Sequence, residues 1–142
     1  MKANFEIELF RDIRFENRHI DLHNNFLFEG FNYDLAKAQV TLHWVKDTGD
    51  WISSDELAAI AITHFDVTFF KVQPMSETVP LIDSQTLSEV TFYPSDERNE
   101  DERFLDQSVP DVDDDIIYSF LGGQIIRIGC SVATLQSITG GA

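Results

Sequence analysis

The sequence has only one cysteine, and this scarcity limits the class of protein it can encode. Cys130 has no second cysteine with which to form an internal disulfide or to share a metal ion. A chain of this kind fits a reducing compartment, so we expect a cytoplasmic protein. The alternation of apolar residues places Cys130 on one strand face with Ile126 and Ile128. This pattern predicts a shielded core residue that behaves as a small hydrophobe.

Long apolar runs are also missing. No segment approaches the roughly 20 apolar residues that a membrane-spanning helix needs. Residues 1–6 carry charges where a signal peptide needs its apolar stretch. We therefore expect no membrane segment and no cleaved leader.

Basic residues are few, with 10 Lys and Arg against 25 Asp and Glu, and the formal net charge is -15. A charge of this sign repels nucleic acid phosphates and anionic lipids. We therefore expect neither nucleic acid nor a membrane as the partner. The charge serves either solubility or attraction to a basic protein partner, and the oligomeric state is left open.

The residues that are abundant favour strands. Hydrophobic residues make up 43% of the 142 residues, and phenylalanine alone contributes 12. Such a composition argues against disorder, and this length suits one domain spanning residues 1–142. We expect an all-β fold, either an antiparallel β-sandwich or a curled, partly closed sheet.

The clearest local signal is a hairpin near the C-terminus. Two β-prone runs, residues 116–121 and 124–130, flank Gly122 and Gly123. Two glycines permit the positive φ angles of a type I′ or II′ turn, so we expect adjacent antiparallel strands joined by a two-residue turn.

Alternating apolar residues predict several further strands. The pattern in residues 38–45 directs Trp44 inward and His43 towards solvent, and Gly30 indicates a bulge or a close backbone approach. Residues 55–64 have both a helix-capping signal and β-branched residues, and we favour one long, bent strand that continues to Phe69. The remaining strands are predicted at residues 5–9, 26–33, 86–93 and 131–135, followed by a frayed tail at about 137–142.

Residues 95–115 hold ten of the acidic side chains and few apolar ones, which is typical of a solvated loop. We predict that this loop forms or borders a partner-binding surface. The candidate residues are Asp111, Asp113, Asp114 and Asp115. Trp51, beside Asp50, is the aromatic residue that we expect to be exposed for binding.

Three patterns resemble catalytic or metal sites without completing one. His19 and His23 have zinc spacing on a helix, but on a strand they lie about 13 to 14 Å apart. Asp111, Asp113 and Asp115 alternate as in a calcium loop, yet the sixth and twelfth positions are not glycine and glutamate. Cys130 lacks any local motif that would pair it with His43 or His64. We expect no metal, no cofactor and no catalytic residue.

The order of several segments resembles that of a group of small bacterial β-rich proteins. The group includes Imm50-type proteins, which are immunity partners of secreted toxins. The resemblance implies an intracellular, non-catalytic protein whose acidic face masks a toxin, but it carries over no binding residues. The segments that carry it are residues 31–34, Val40 with Leu42, the alternating Phe65, Val67 and Phe69, and residues 117–130.

Two functions from different classes follow. The first is a non-catalytic protein-interaction domain whose acidic surface attracts a basic partner, with an immunity protein as the specific case. The alternative is a small enzyme or ligand-binding β-domain with a pocket between its sheets, in which Cys130 and a histidine would lie together.

Overall fold

A computed structural model describes residues 1–75, 78–99 and 104–138. This part of the chain contains twelve β-strands, one four-residue α-helix and one 3-10 turn. The elements are β1 (Lys2–Ala3), β2 (Glu6–Glu8), β3 (Asp12–Phe15), β4 (Arg18–Asp21), β5 (Phe26–Asp34), β6 (Gln39–Lys46), β7 (Ala59–Phe65), β8 (Phe69–Gln73), α1 (Leu81–Ser84), β9 (Leu87–Pro94), the 3-10 turn (Ser95–Glu97), β10 (Asp114–Phe120), β11 (Ile125–Gly129) and β12 (Val132–Ile138).

The strands form three sheets. The five-stranded sheet has the order β1-β12-β7-β6-β5, and the four-stranded sheet has the order β8-β11-β10-β9. Strands β2, β3 and β4 form a small separate sheet. Neighbours pair antiparallel except β1 and β12, which are parallel. The all-β prediction is confirmed, and the sheets do not close into a barrel.

The two larger sheets face each other across a hydrophobic core. Trp44 on β6 is fully buried, as its alternation predicted, and its ring centroid lies 5.8 Å from that of Tyr118 on β10. Phe28 on β5 packs on Phe120 with centroids 4.6 Å apart. The small sheet adds Ile7, Ile13 and Ile20 to the same core. The fold is therefore a sandwich with a three-stranded addition.

The predicted hairpin is confirmed, but its turn differs from the prediction. Strands β10 and β11 pair antiparallel from Ile116 opposite Ile128 to Ser119 opposite Ile125. Only the second glycine of the turn, Gly123, has a positive φ, at 89°. The Phe120 amide donates to the Gln124 carbonyl at 3.0 Å, which closes a longer loop than two residues. This geometry matches a turn followed by one left-handed residue.

The strand favoured for residues 55–64 begins only at Ala59, because residues 55–58 form a turn and bends, and β7 does not continue to Phe69 as one bent strand. Strand β7 ends at Phe65, and Asp66 has a φ of 54°, which breaks the extended run. Strand β8 then begins in the opposite sheet. A left-handed residue lets the chain pass from one sheet to the other here.

The C-terminal part of the chain also changes sheets. Strand β12 pairs with β7 rather than continuing β11. Cys130 lies in the connection between them rather than in a strand, and it packs against the core while only partly buried, so the prediction of a shielded strand residue holds only in part. Ser137 and Ile138 belong to β12, and the rest of the predicted tail lies outside the described residues.

The N-terminal strand is shorter than predicted. Strand β2 ends at Glu8, and Leu9 is 71% exposed with a positive φ. The bulge predicted at Gly30 is confirmed, because the register between β5 and β6 shifts between Phe28 and Gly30. Within residues 1–75, 78–99 and 104–138, no helix is long and apolar enough to cross a membrane.

Candidate functional site

The acidic segment between β9 and β10 is tied to the sheet by a buried carboxylate. Asp115 on β10 is 1% exposed and accepts a hydrogen bond from Nε of Arg127 on β11 at 2.8 Å. Arg98 donates to both oxygens of the same carboxylate, each at 2.9 Å. The hydrogen bonds that Arg98 donates to Asp115 raise the pKa of its guanidinium. Asp115 is therefore a structural group at the base of the segment.

The guanidinium of Arg127 extends this anchor to the 3-10 turn. It is fully buried and donates to the carbonyl of Pro94 at 2.9 Å and to that of Glu97 at 3.3 Å. Gly129 on the same strand leaves room for the ion pair, because a Cβ there would lie 2.6 Å from Arg98 Nη2 and from Asp115 Oδ1. The buried guanidinium of Arg127 and the close approach of the ion pair to Gly129 thus fix the start of the acidic segment.

Asp114 fixes the other end of the segment. It is 5% exposed, and its Oδ2 accepts hydrogen bonds from Gln107 Nε2 at 2.6 Å and from the Asp111 amide at 2.8 Å. Between these ends, Thr91 Oγ1 on β9 lies 3.1 Å from the Leu105 amide, which donates to it. The prediction of a solvated loop over residues 95–115 is therefore wrong for Asp114 and Asp115, which are buried, and residues 100–103 of that loop lie outside the described residues.

The candidate aspartates therefore separate into two pairs. Asp114 and Asp115 are buried and hold structure, so their assignment to an exposed surface is corrected. Asp111 and Asp113 are exposed, as predicted. Between them Val112 is 84% exposed, an apolar side chain in an acidic turn.

Two clefts meet at this turn. One has a volume of about 340 Å³ and is lined by Asp96, Asp111, Val112 and Asp113 among others. The other, of about 320 Å³, shares Val112 and Asp113 and extends to Asp66 and Cys130. We call the exposed carboxylates of Asp66, Asp96, Asp111 and Asp113, together with Val112, the acidic rim.

The rim includes one residue from a distant part of the sequence. Asp66, in the turn after β7, is exposed, and its Oδ2 accepts a hydrogen bond from Ser131 Oγ at 2.7 Å. Sequence reasoning did not include Asp66, because it lies far from the acidic segment of residues 95–115 in the sequence. Only the change of sheet at Asp66 brings it beside Cys130.

Cys130 in the second cleft does not have the surroundings of a nucleophile. Burial raises the pKa of its thiol to about 12. Both ring nitrogens of His64 are already engaged, by the Val40 carbonyl at 2.8 Å and by the Tyr118 hydroxyl at 2.9 Å. Among the described residues, no histidine lines this cleft. The arrangement does not bring together the pair that the alternative function would use.

Trp51 is exposed, as predicted, with 66% of its surface accessible. Its indole Nε1 donates to the Asn24 carbonyl at 3.0 Å, which fixes the ring on the surface. Trp51 is not among the residues that line the two clefts described above. The structure therefore does not bring it together with the acidic rim in a single cleft.

The histidine pair lies at the small sheet. His19 is on β4. Its Nε2 lies 3.1 Å from Oδ2 of Asp12, and its Nδ1 lies 3.5 Å from Oε2 of Glu8. His23 lies beyond β4, with Nδ1 2.6 Å from the Leu87 carbonyl. Within the parts of the chain that the structure describes, no group of three or more His, Cys, Asp or Glu side chains is placed to hold a metal ion.

Two residues central to this region, Arg98 and Arg127, were missed by sequence reasoning. Arg127 could have been noticed in the sequence, because it is the one charged residue in the apolar run 125–128, at a position that faces away from the core. A charge in such a place suggests a buried partner. Arg98 left no such signal, because it lies among acidic residues that look solvated.

Comparison with known proteins identified no relative of this chain. The sequence matches no protein-family model and no curated protein, and the chain matches no solved structure. The class that the fold and the site define is an acidic β-sandwich with a carboxylate-rimmed surface turn.

Proposed function

We propose that this chain is a non-catalytic protein-binding domain whose acidic rim receives a basic partner. One observation carries the proposal: Val112, 84% exposed, projects between Asp111 and Asp113 from a backbone anchored by two buried aspartates. An exposed apolar side chain within a polar rim is a common feature of protein interfaces. A fixed base limits the entropy that binding would cost.

Electrostatics decides the kind of partner. The chain has a net charge of -15, and four exposed carboxylates border the two clefts. Complementary charge acts mainly on the association rate and on the choice of partner. We therefore propose a partner that presents lysine or arginine side chains around an apolar contact.

The specific case is an immunity protein that neutralises a basic toxin domain in the cytoplasm. Its support is the resemblance of the strand pattern to small immunity-type proteins and the acidity of the rim. Trp51 stays a predicted second contact, because a fixed, exposed indole suits an interface.

The alternative, a small enzyme or ligand-binding domain, has weaker support. The clefts at the rim are open surface features lined by carboxylates, rather than a pocket between the sheets. The thiol of Cys130, with its pKa raised to about 12, stays protonated at neutral pH.

Affinity capture with matched baits tests the proposal. One bait is the native protein, and the second carries Asp111→Asn and Asp113→Asn. A control bait carries Glu6→Gln and Glu16→Gln, which also remove two negative charges, but from exposed positions at the small sheet. Captured proteins are quantified by mass spectrometry, purified and measured for association rate at 0.1 M and 0.5 M salt.

We expect a basic protein that binds the native and control baits and is lost from the rim variant. Its association should slow several-fold at the higher salt, because screening shortens the reach of the charges. Equal capture by the native protein and the rim variant, or an association rate unaffected by salt, would contradict the proposal.

A further inference from the structure

The free edges of the two large sheets differ in how they are covered. Strand β1 ends the five-stranded sheet on one side and has only two residues. Strand β9 ends the four-stranded sheet, and its Val90 amide donates to the Phe10 carbonyl at 2.6 Å. Strand β5, on the remaining side of the five-stranded sheet, has nine residues and is the longest edge strand in the described chain.

Only the first half of the β5 edge is covered. The Phe28 amide donates to the Gln85 carbonyl at 2.8 Å, so the segment after α1 lies along this half. Beyond the bulge, residues 31–34 are exposed, and within the described ranges no strand pairs with them on the side away from β6. Unpaired amides and carbonyls on such an edge are a template for a further strand.

This open half carries apolar surface as well as free backbone groups. The rings of Phe31 and Tyr33 meet Phe70 of β8 edge to face, with centroids 5.3 and 5.0 Å apart. Phe31 and Tyr33 remain 39% and 46% exposed, and Val72 on β8 is 43% exposed. An added strand would find exposed apolar surface for alternate side chains beside its backbone hydrogen bonds.

The open edge also adjoins the acidic rim. The Val67 amide donates to the Ala38 carbonyl at 2.9 Å, which joins the turn between β5 and β6 to the turn that holds Asp66. A second copy of this chain would bring another charge of -15 to this edge, so repulsion disfavours self-pairing. A segment rich in lysine or arginine is attracted instead.

We propose that the second half of β5 receives an extended segment of a partner protein as an added strand, with basic residues alternating with apolar ones. The sign of the partner's charge rests on the proposed function, whereas the pairing rests on the geometry of β5. The two therefore fail in different ways.

The test uses the full chain, labelled for NMR, and synthetic eight-residue peptides with blocked ends. The probe alternates valine and lysine, and a matched control alternates valine and glutamate. Two further peptides carry N-methyl groups on either the odd or the even residues of the valine-lysine sequence, because an added strand bonds through only one of these sets. Amide shifts and hydrogen exchange are followed for each peptide at millimolar concentration.

We expect the valine-lysine peptide to shift the amides of residues 30–34 and to slow exchange at least about fivefold at those that point away from β6. One N-methylated peptide should retain this effect and the other should lose it, and the glutamate peptide should bind more weakly. Changes confined to the acidic rim would overturn the strand proposal and leave the proposed function standing. No change at either place would count against both. Slowed exchange at residues 30–34 that grows with protein concentration, without peptide, would instead show self-pairing and overturn the proposed occupant.

Discussion

Nε of Arg127 lies 2.8 Å from Oδ2 of Asp115, and neither side chain is more than 1% exposed. The pair joins two central strands of the four-stranded sheet, and Arg127 also holds two carbonyls of the segment that follows β9. An aspartate that looks solvated in the sequence thus fixes the shape of the surface on which binding is proposed.

Asp115→Asn should destabilise the protein strongly. The variant removes the buried carboxylate to which both Arg127 and Arg98 donate, and loss of one partner of such a buried pair costs roughly 3 kcal/mol or more. Urea unfolding at pH 7, followed by tryptophan fluorescence, measures the loss. The expected result is a lower midpoint with an unchanged slope.

Asp113→Asn is the matched control, because it makes the same chemical change two residues away at an exposed position. Its stability should stay within about 0.5 kcal/mol of the native protein. Similar midpoints for the two variants would show that the buried ion pair contributes little. A variant that changes the four candidate aspartates together, Asp111, Asp113, Asp114 and Asp115, is unsuitable as a binding test. Because two of them are buried, it would change the fold and the surface at once.

Sequence reasoning succeeded where one strand face meets the core and the other meets solvent. The alternation of Val40, Leu42 and Trp44 on β6 predicted which side chains are buried, because period-two patterning reflects a half-buried strand. Glycine within an extended run predicted the bulge at Gly30, and the pair Gly122 and Gly123 predicted the hairpin.

Prediction from alternation failed where both faces of a strand are covered. On β10 both Asp115 and Ile117 face away from the main core, yet both are buried, so alternation had no contrast to detect. The acidic rim depends on a further fact that local patterns do not contain. Asp66 reaches it only because the chain changes sheets between β7 and β8.

Gly123→Val should destabilise the hairpin. The φ of 89° at Gly123 lies in a region that a β-branched residue occupies only with strain, at a cost of about 1–3 kcal/mol. Gly123→Asn should cost less, since asparagine tolerates left-handed conformations. Thermal unfolding of the two variants checks the order. A valine variant as stable as the asparagine variant would contradict the turn geometry.

Native Cys130 should react slowly with a thiol reagent. The thiolate is the reactive form, and a pKa of about 12 leaves little of it at pH 8. We expect labelling by an aromatic disulfide to be at least roughly a hundredfold slower than in urea-unfolded protein, and to accelerate as the pH rises towards 10. Rapid labelling at pH 7 would show an accessible thiolate and would strengthen the enzyme alternative.

His64 connects the two large sheets through Tyr118, and its protonation should control part of the stability. Burial lowers the pKa of His64 to about 4 from its ordinary value of 6.5, so the folded state holds the ring neutral. Between these values the unfolded chain binds more protons than the folded one, and stability rises with pH. The contribution is complete above about pH 6.5 and is lost as the pH falls towards 4.

We therefore expect the native protein to lose about 2 kcal/mol of stability from this group between pH 7 and pH 5. His64→Gln removes the titrating ring. Between pH 7 and pH 5 the variant should therefore lose about 2 kcal/mol less stability than the native protein. Urea unfolding of both proteins at pH 7, 6 and 5 measures the difference in slope. The comparison is needed because the rest of the chain also contributes to the pH dependence of stability, and that contribution is the same in both proteins. Parallel pH profiles for the native protein and the variant would show that the ring is not held neutral in the core.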